Sequence, residues 1–136
     1  MAQETVIHRV DAEQALGEPL TEIPDDLALD GVDEILVRFL GYMSQQWPED
    51  FAPDLPPAEA PGVLVSAGGR GWLLRATPGG VLVESVAADV DASARIGGEA
   101  VAVLLWLWRR VESGVTRQGD AALIEQVRAL LRTPTQ

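Results

Sequence analysis

GVLVSAGGRGWLLRATPGGVLVES, residues 62–85, decides the architecture of this chain. Val63 to Ala67, Trp72 to Thr77 and Val81 to Ser85 are short runs rich in branched and aromatic residues. Such side chains suit a pleated, half-buried surface. Gly68-Gly69-Arg70-Gly71 and Pro78-Gly79-Gly80 separate the runs. Both spacers fit hairpins, because glycine reaches the left-handed backbone that tight connections need. The stretch therefore predicts an antiparallel meander of three strands.

Toward the C-terminus, Asp91 to Ile96 alternates weakly through Ala92, Ala94 and Ile96 and predicts a fourth strand. Gly97-Gly98 turns the chain into a helix from Glu99 to about Val111, whose core AVAVLLWLW is apolar nearly all round. A helix with no polar face is buried on several sides or faces a cavity. Val115 to Gln118 reads as a short fifth strand. Asp120 then caps a last helix with Leu123, Ile124, Val127, Leu130 and Leu131 on one face.

Toward the N-terminus, prolines 48, 53, 56, 57 and 61 mark an extended linker or a loop wrapping the surface. Before it, a helix starts near Pro24, with Leu27, Val32, Ile35, Leu36, Phe39, Leu40 and Met43 as its core stripe, interrupted by Gly31 and Gly41. Thr5 to Leu16 is a further helix, ended by Gly17 and Pro19. The order predicts an α+β fold, a mostly antiparallel sheet of about five strands with helices on one face, preceded by one or two N-terminal helices. The expected units are an N-terminal helix over 1–17, a helix with Pro-rich linker over 18–61, and the α+β domain over 62–136.

The 136 residues hold one core of ordinary size, and 47% hydrophobic content argues for a folded protein. Net charge is −11, with ten arginines and no lysine, so nucleic acid and anionic membrane are poor partners. Cysteine is absent, which excludes disulfides and an in-chain thiol nucleophile. The purely apolar run from Ala100 to Trp108 is too short to span a bilayer, and no signal pattern opens the chain. A cytoplasmic protein is the expectation.

Glu4 and His8, the only histidine, lie four residues apart on one helix face and can converge on one metal ion. The same spacing also occurs on solvated helix faces. A catalytic zinc site wants three protein ligands and an open position, so the pair is half a site. Serines without a partner histidine, glycine pairs without a phosphate-loop lysine, and the acidic residues 25, 26, 30, 33 and 34 read as turns and solvated surface.

The wording ETVIHRVDAEQALGEP, then IPDDLALDGVDEIL, GWLLRATPGGVLVE, ADVDASARIGGEAVAVLLWLWRR and VTRQGDAALIEQVRALL, resembles the C-terminal part of the mycothiol-dependent maleylpyruvate isomerase family. The resemblance implies that Glu4 and His8 are metal ligands on the last helix of a DinB-like bundle, whose earlier histidine has no counterpart here. It implies a divalent metal, zinc by ligand chemistry, and mycothiol as cofactors of the whole family protein, with neither tightly bound by this chain alone. Its partner would be the missing bundle, in cis or in trans, or a second copy pairing through the N-terminal helix. The α+β part is also similar to the sterol carrier protein type 2 fold, which implies an apolar cavity lined by Trp72, Trp106 and Trp108; the same aromatics also read as plain core.

Trp106-Leu107-Trp108-Arg109-Arg110 matches the family's W-L-x-x-R, and the resemblance implies that Arg110 is a catalytic arginine, gripping an anionic substrate through a bidentate pair. The same two arginines also read as helix-end and solubilising charge. The family's usual small residue before that arginine is Arg109 here. A helix-end charge contributes ~0.3–1 kcal/mol, so Arg110→Ala is expected to leave stability nearly unchanged. Two functions follow: an accessory, substrate-closing domain of a metal- and mycothiol-dependent isomerase or transferase, inactive alone, or a stand-alone carrier-like module for an apolar ligand or protein partner. In either case the helix at Thr5 to Leu16 is expected to leave Val6, Ile7 and Val10 exposed.

Overall fold

The meander forms as β1 (Val63–Ala67), β2 (Arg70–Thr77) and β3 (Gly80–Ala87), with Val65 opposite Trp72 and Leu74 opposite Val83. These are features of a computed structural model that describes residues 2–18 and 22–135, the side chains of 2–5 excepted. β4 (Ala94–Gly98) lies beside β1 and β5 (Thr116–Gly119) beside β4, giving the order β3-β2-β1-β4-β5. β1 and β4 run parallel and the other pairings antiparallel, so the sheet is mixed. The parallel pair follows from the connection over 88–93. It leaves the β3 edge, crosses the sheet and enters β4 on the far side of β1. Arg95, on the face shared by Leu64 and Leu73, donates to the Val90 carbonyl (2.7 Å), which places the crossover on that face.

The opposite face carries the main core. Val63, Val65, Trp72, Leu74, Val81, Ala94 and Ile96 alternate onto it and are buried there. The apolar helix, shorter than expected at Ala100–Leu107, packs on β1 and β4 and on α2 (Asp25–Asp33). Its burial on both sides explains the missing polar face. α2 runs on through a π-helical stretch, Glu34–Tyr42, into α3 (Met43–Gln46). Gly41 is needed where this helix meets β3, since a Cβ there would stand 3.1 Å from the Val83 side chain and from the Leu36 carbonyl. Beside it the buried Ser44 hydroxyl accepts from the Val81 N–H (2.9 Å) and donates to the Gly41 carbonyl (3.1 Å).

The proline-rich segment wraps the surface and is no open linker. α4 (Pro48–Phe51) buries Phe51, and the Ala60 N–H donates to the Ala76 carbonyl at 2.8 Å. With the apolar helix as α5, the last helix is α6 (Ala121–Leu130), capped by the Asp120 carboxylate on the Ala122 N–H (2.9 Å).

The N-terminal helix departs from expectation. α1 (Ala2–Leu16) buries Val6, Ile7 and Val10, which are 6%, 1% and 1% exposed and belong to the same core as the sheet. The expected exposed stripe is thus covered within the chain. The apolar face was read correctly; the core it joins is built from other elements of the chain, which periodicity cannot show. Among the described residues no helix is long and apolar enough to cross a membrane.

Candidate functional site

α5 ends in a Schellman turn. Arg109 adopts a left-handed conformation (φ 62°), its N–H donating to the Trp106 carbonyl and the Arg110 N–H to the Leu105 carbonyl, both 2.9 Å. Glycine is the usual occupant of that position, which accounts for the small residue expected there. Arg110, the first residue past the turn, meets α1. Its Nε and Nη2 donate to the two carboxylate oxygens of Asp11 (2.6 and 3.1 Å), and Nη1 donates to the carbonyls of Trp108 (2.8 Å) and Thr135 (3.1 Å). The Gln14 side chain, one turn beyond Asp11, donates to the Arg110 carbonyl at 3.3 Å.

Arg110 and His8 line one cavity of about 330 Å³ with Ile7, Phe39, Met43, Trp108 and Pro134. The π-helical stretch supplies Phe39, edge-on to Trp108 at 5.8 Å between ring centroids, and α3 supplies Met43. Five of the seven lining residues are apolar, and an imidazole and a guanidinium bring the polar surface of the cavity. That composition suits a small ligand with an apolar body and one anionic end.

The structure thus brings together two of the residues singled out in sequence, His8 and Arg110. Glu4 is on the first turns of α1, but its side chain lies outside the described residues. His8 is exposed, and the carboxylate one turn along, Asp11, is already paired with Arg110. Among the described residues no group of three or more His, Cys, Asp or Glu can hold a metal ion. The described donors do not fit a metal centre on their own.

The expected bidentate grip of Arg110 on a substrate carboxylate is occupied by Asp11. The four bonds engage four of the five guanidinium N–H groups and leave one. The tryptophans do not gather around one space. Trp108 lines the cavity, whereas Trp72 is core, its Nε1 donating to Asp33 Oδ1 at 3.0 Å under the Arg70 guanidinium. Trp106 is core beneath Arg117 and Arg128. Sequence reasoning missed Asp11, Phe39, Met43 and Pro134. Asp11 carries a usable signal, since it sits three residues after His8 on the same helix face.

A mixed five-stranded sheet with helices on one face, and a cavity where an added N-terminal helix meets the end of the buried helix, define an α+β domain built onto a helical segment. A family model for the MDMPI C-terminal domain matches residues 26–126. The chain belongs to that family, the C-terminal domains of mycothiol-dependent maleylpyruvate isomerase. No curated protein matches the sequence. Among solved structures it is similar to a ubiquinone synthesis protein, UbiJ-SCP2, at 20% identity over 85% of this chain and 98% of that one, with a TM-score of 0.45. It is also similar to a conserved hypothetical protein of Thermus thermophilus described as a candidate sterol carrier protein. There the identity is 10%, the coverage 86% and 90%, and the TM-score 0.47.

Proposed function

We propose that the chain acts as the accessory, substrate-closing domain of a mycothiol- and divalent-metal-dependent isomerase or transferase, and is inactive without a DinB-like bundle supplied in cis or in trans. The observation that carries this reading is the shared cavity of His8 and Arg110, residues 102 positions apart that the family resemblance alone would pair. In this reading Glu4 and His8 are two metal ligands, and the remainder of the centre, with the thiol cofactor, belongs to the bundle. This chain's own residues do three things. Ile7, Phe39, Met43 and Trp108 exclude water from an apolar substrate body. Arg110 turns positive charge and its remaining N–H toward the anionic end. Asp11, with the Trp108 and Thr135 carbonyls, holds the guanidinium in place, so that little reorganisation accompanies charge development.

The test is reconstitution: the chain joined to a DinB-like bundle of the same family, supplied with zinc and mycothiol and assayed for cis–trans isomerisation of maleylpyruvate. Arg110→Lys, which keeps the charge but not the fork, is expected to lower turnover by roughly 10²-fold. Arg75→Ala, on the outer sheet face, is expected to leave it unchanged. Equal rates for wild type and Arg110→Lys would remove Arg110 from the chemistry, and no activity in any assembly would overturn the reading.

A further inference from the structure

Four of the ten arginines gather on one concave surface away from the His8 cavity. Arg109, Arg117, Arg128 and Arg132 line a pocket of about 420 Å³ together with Glu112, Glu125 and Ala129. The pocket shares no lining residue with the first and carries two excess positive charges in a chain of net charge −11. Electrostatic concentration of that kind in a cleft raises the local concentration of anions.

The cluster already holds one carboxylate. Arg128 donates to both oxygens of Glu112 at 2.7 Å, the parallel geometry that recognises carboxylate or phosphate. Glu112 is held below its ordinary range first by the hydrogen bond from Arg128, against an opposing desolvation effect, and further by the charges of Arg128, Arg117 and Arg109. Its side chain is 76% exposed, so it can leave. Arg128 stands over Trp106, 4.5 Å from the ring centroid, with a buried Nε–H that has no partner among the described residues. Arg117 stands 5.7 Å from the same ring and donates to the Glu112 carbonyl (2.8 Å). Arg132 donates to Asp54 at 3.2 Å.

Arg109 is the most informative member. It occupies the left-handed position at the end of α5, where glycine costs least, and its guanidinium faces the cluster with no described partner of its own. A side chain kept where the backbone disfavours one points to a use for that side chain.

We propose that this pocket is a binding site for a small doubly charged oxyanion, a phosphate group or a dicarboxylate, held between Arg109, Arg117 and Arg132 with Arg128 exchanging Glu112 for the ligand. The site is independent of any metal or thiol chemistry at the other cavity. Its ligand is recognised by charge and by planar donor pairs.

The test uses the whole chain, titrated by calorimetry with inorganic phosphate and, separately, with succinate at constant ionic strength, chloride serving as the control anion. Saturable one-to-one binding of phosphate or succinate is expected, and the better of the two names the ligand class. Arg109→Gly, which relieves backbone strain and so keeps the fold, is expected to weaken binding about tenfold, the loss of one charged hydrogen-bonding partner. Glu112→Gln is expected to tighten it, because the competing carboxylate is gone. Unchanged affinity in Arg109→Gly, weaker binding in Glu112→Gln, or no saturable binding of either anion beyond that of chloride would overturn the proposal.

Discussion

Arg110 ties three separate parts of the chain, α1 through Asp11, the end of α5 through Trp108, and the C-terminal turn through Thr135. The sequence view of it as a helix-end charge underestimates it. The Arg110 side chain is 20% exposed and that of Asp11 38%, so solvent screens the pair in part, but four bonds from one guanidinium are lost together. Arg110→Ala is therefore expected to lower unfolding free energy by about 1–2 kcal/mol in urea titrations, in place of the near-zero change that helix-end charge implies. An unchanged midpoint would show that the bonds in this cluster contribute nothing net. Its neighbour gives the opposite sign: Arg109→Gly removes a left-handed non-glycine residue and is expected to stabilise the chain by roughly 1 kcal/mol, with Arg109→Ala near neutral. Glu112 sets a pH dependence. Its carboxyl is held below the ordinary 4.5, first by the Arg128 hydrogen bond, so it binds fewer protons folded than unfolded in mild acid. Its stabilising effect is present above pH 4.5 and is lost as pH falls through the lowered value. The stability difference between wild type and Glu112→Gln, followed by denaturation across that range, is expected to shrink toward acid; a constant difference would separate the ion pair from stability.

At the scale of elements, α1 is where packing overrides local propensity. A helix of this length is marginal alone, and its order depends on burying Val6, Ile7 and Val10. Ile7→Ala is expected to cost about 2 kcal/mol, the low end for a core aliphatic because a terminal helix can shift to close the gap, and to raise amide exchange throughout α1. Exchange unchanged in α1 would mean that Ile7 is not what anchors it. β1 to β3 and α6 were legible because short apolar runs between glycines, and a capping Asp120 before a clean apolar face, carry their meaning locally. β4 takes in Gly97-Gly98, read as a turn, and β5 is polar and exposed. The β1–β4 parallel pair was not, since strand order depends on where residues 88–93 cross, and nothing in their sequence marks a face. For the site, His8 was legible as the sole imidazole and Arg110 through its surrounding tryptophans. Asp11 was legible only in part: its spacing puts it on the His8 face, but its partner Arg110, 99 positions away, is not marked in the sequence.

For the whole molecule, two cavities divide the polar chemistry: one apolar with His8 and Arg110, one cationic with four arginines. The first carries the central claim of the proposed function, that this chain presents part of a site whose remainder a bundle supplies. Among the described residues no group of three or more His, Cys, Asp or Glu can hold a metal ion, and Asp11 is engaged by Arg110. Zinc calorimetry on the purified chain at neutral pH, with its mass measured in the same buffer, tests this most directly. The expected result is no saturable binding tighter than about 1 µM, since a complete protein site binds far more strongly. Tight one-to-one binding by a monomer, abolished in His8→Ala, would contradict it.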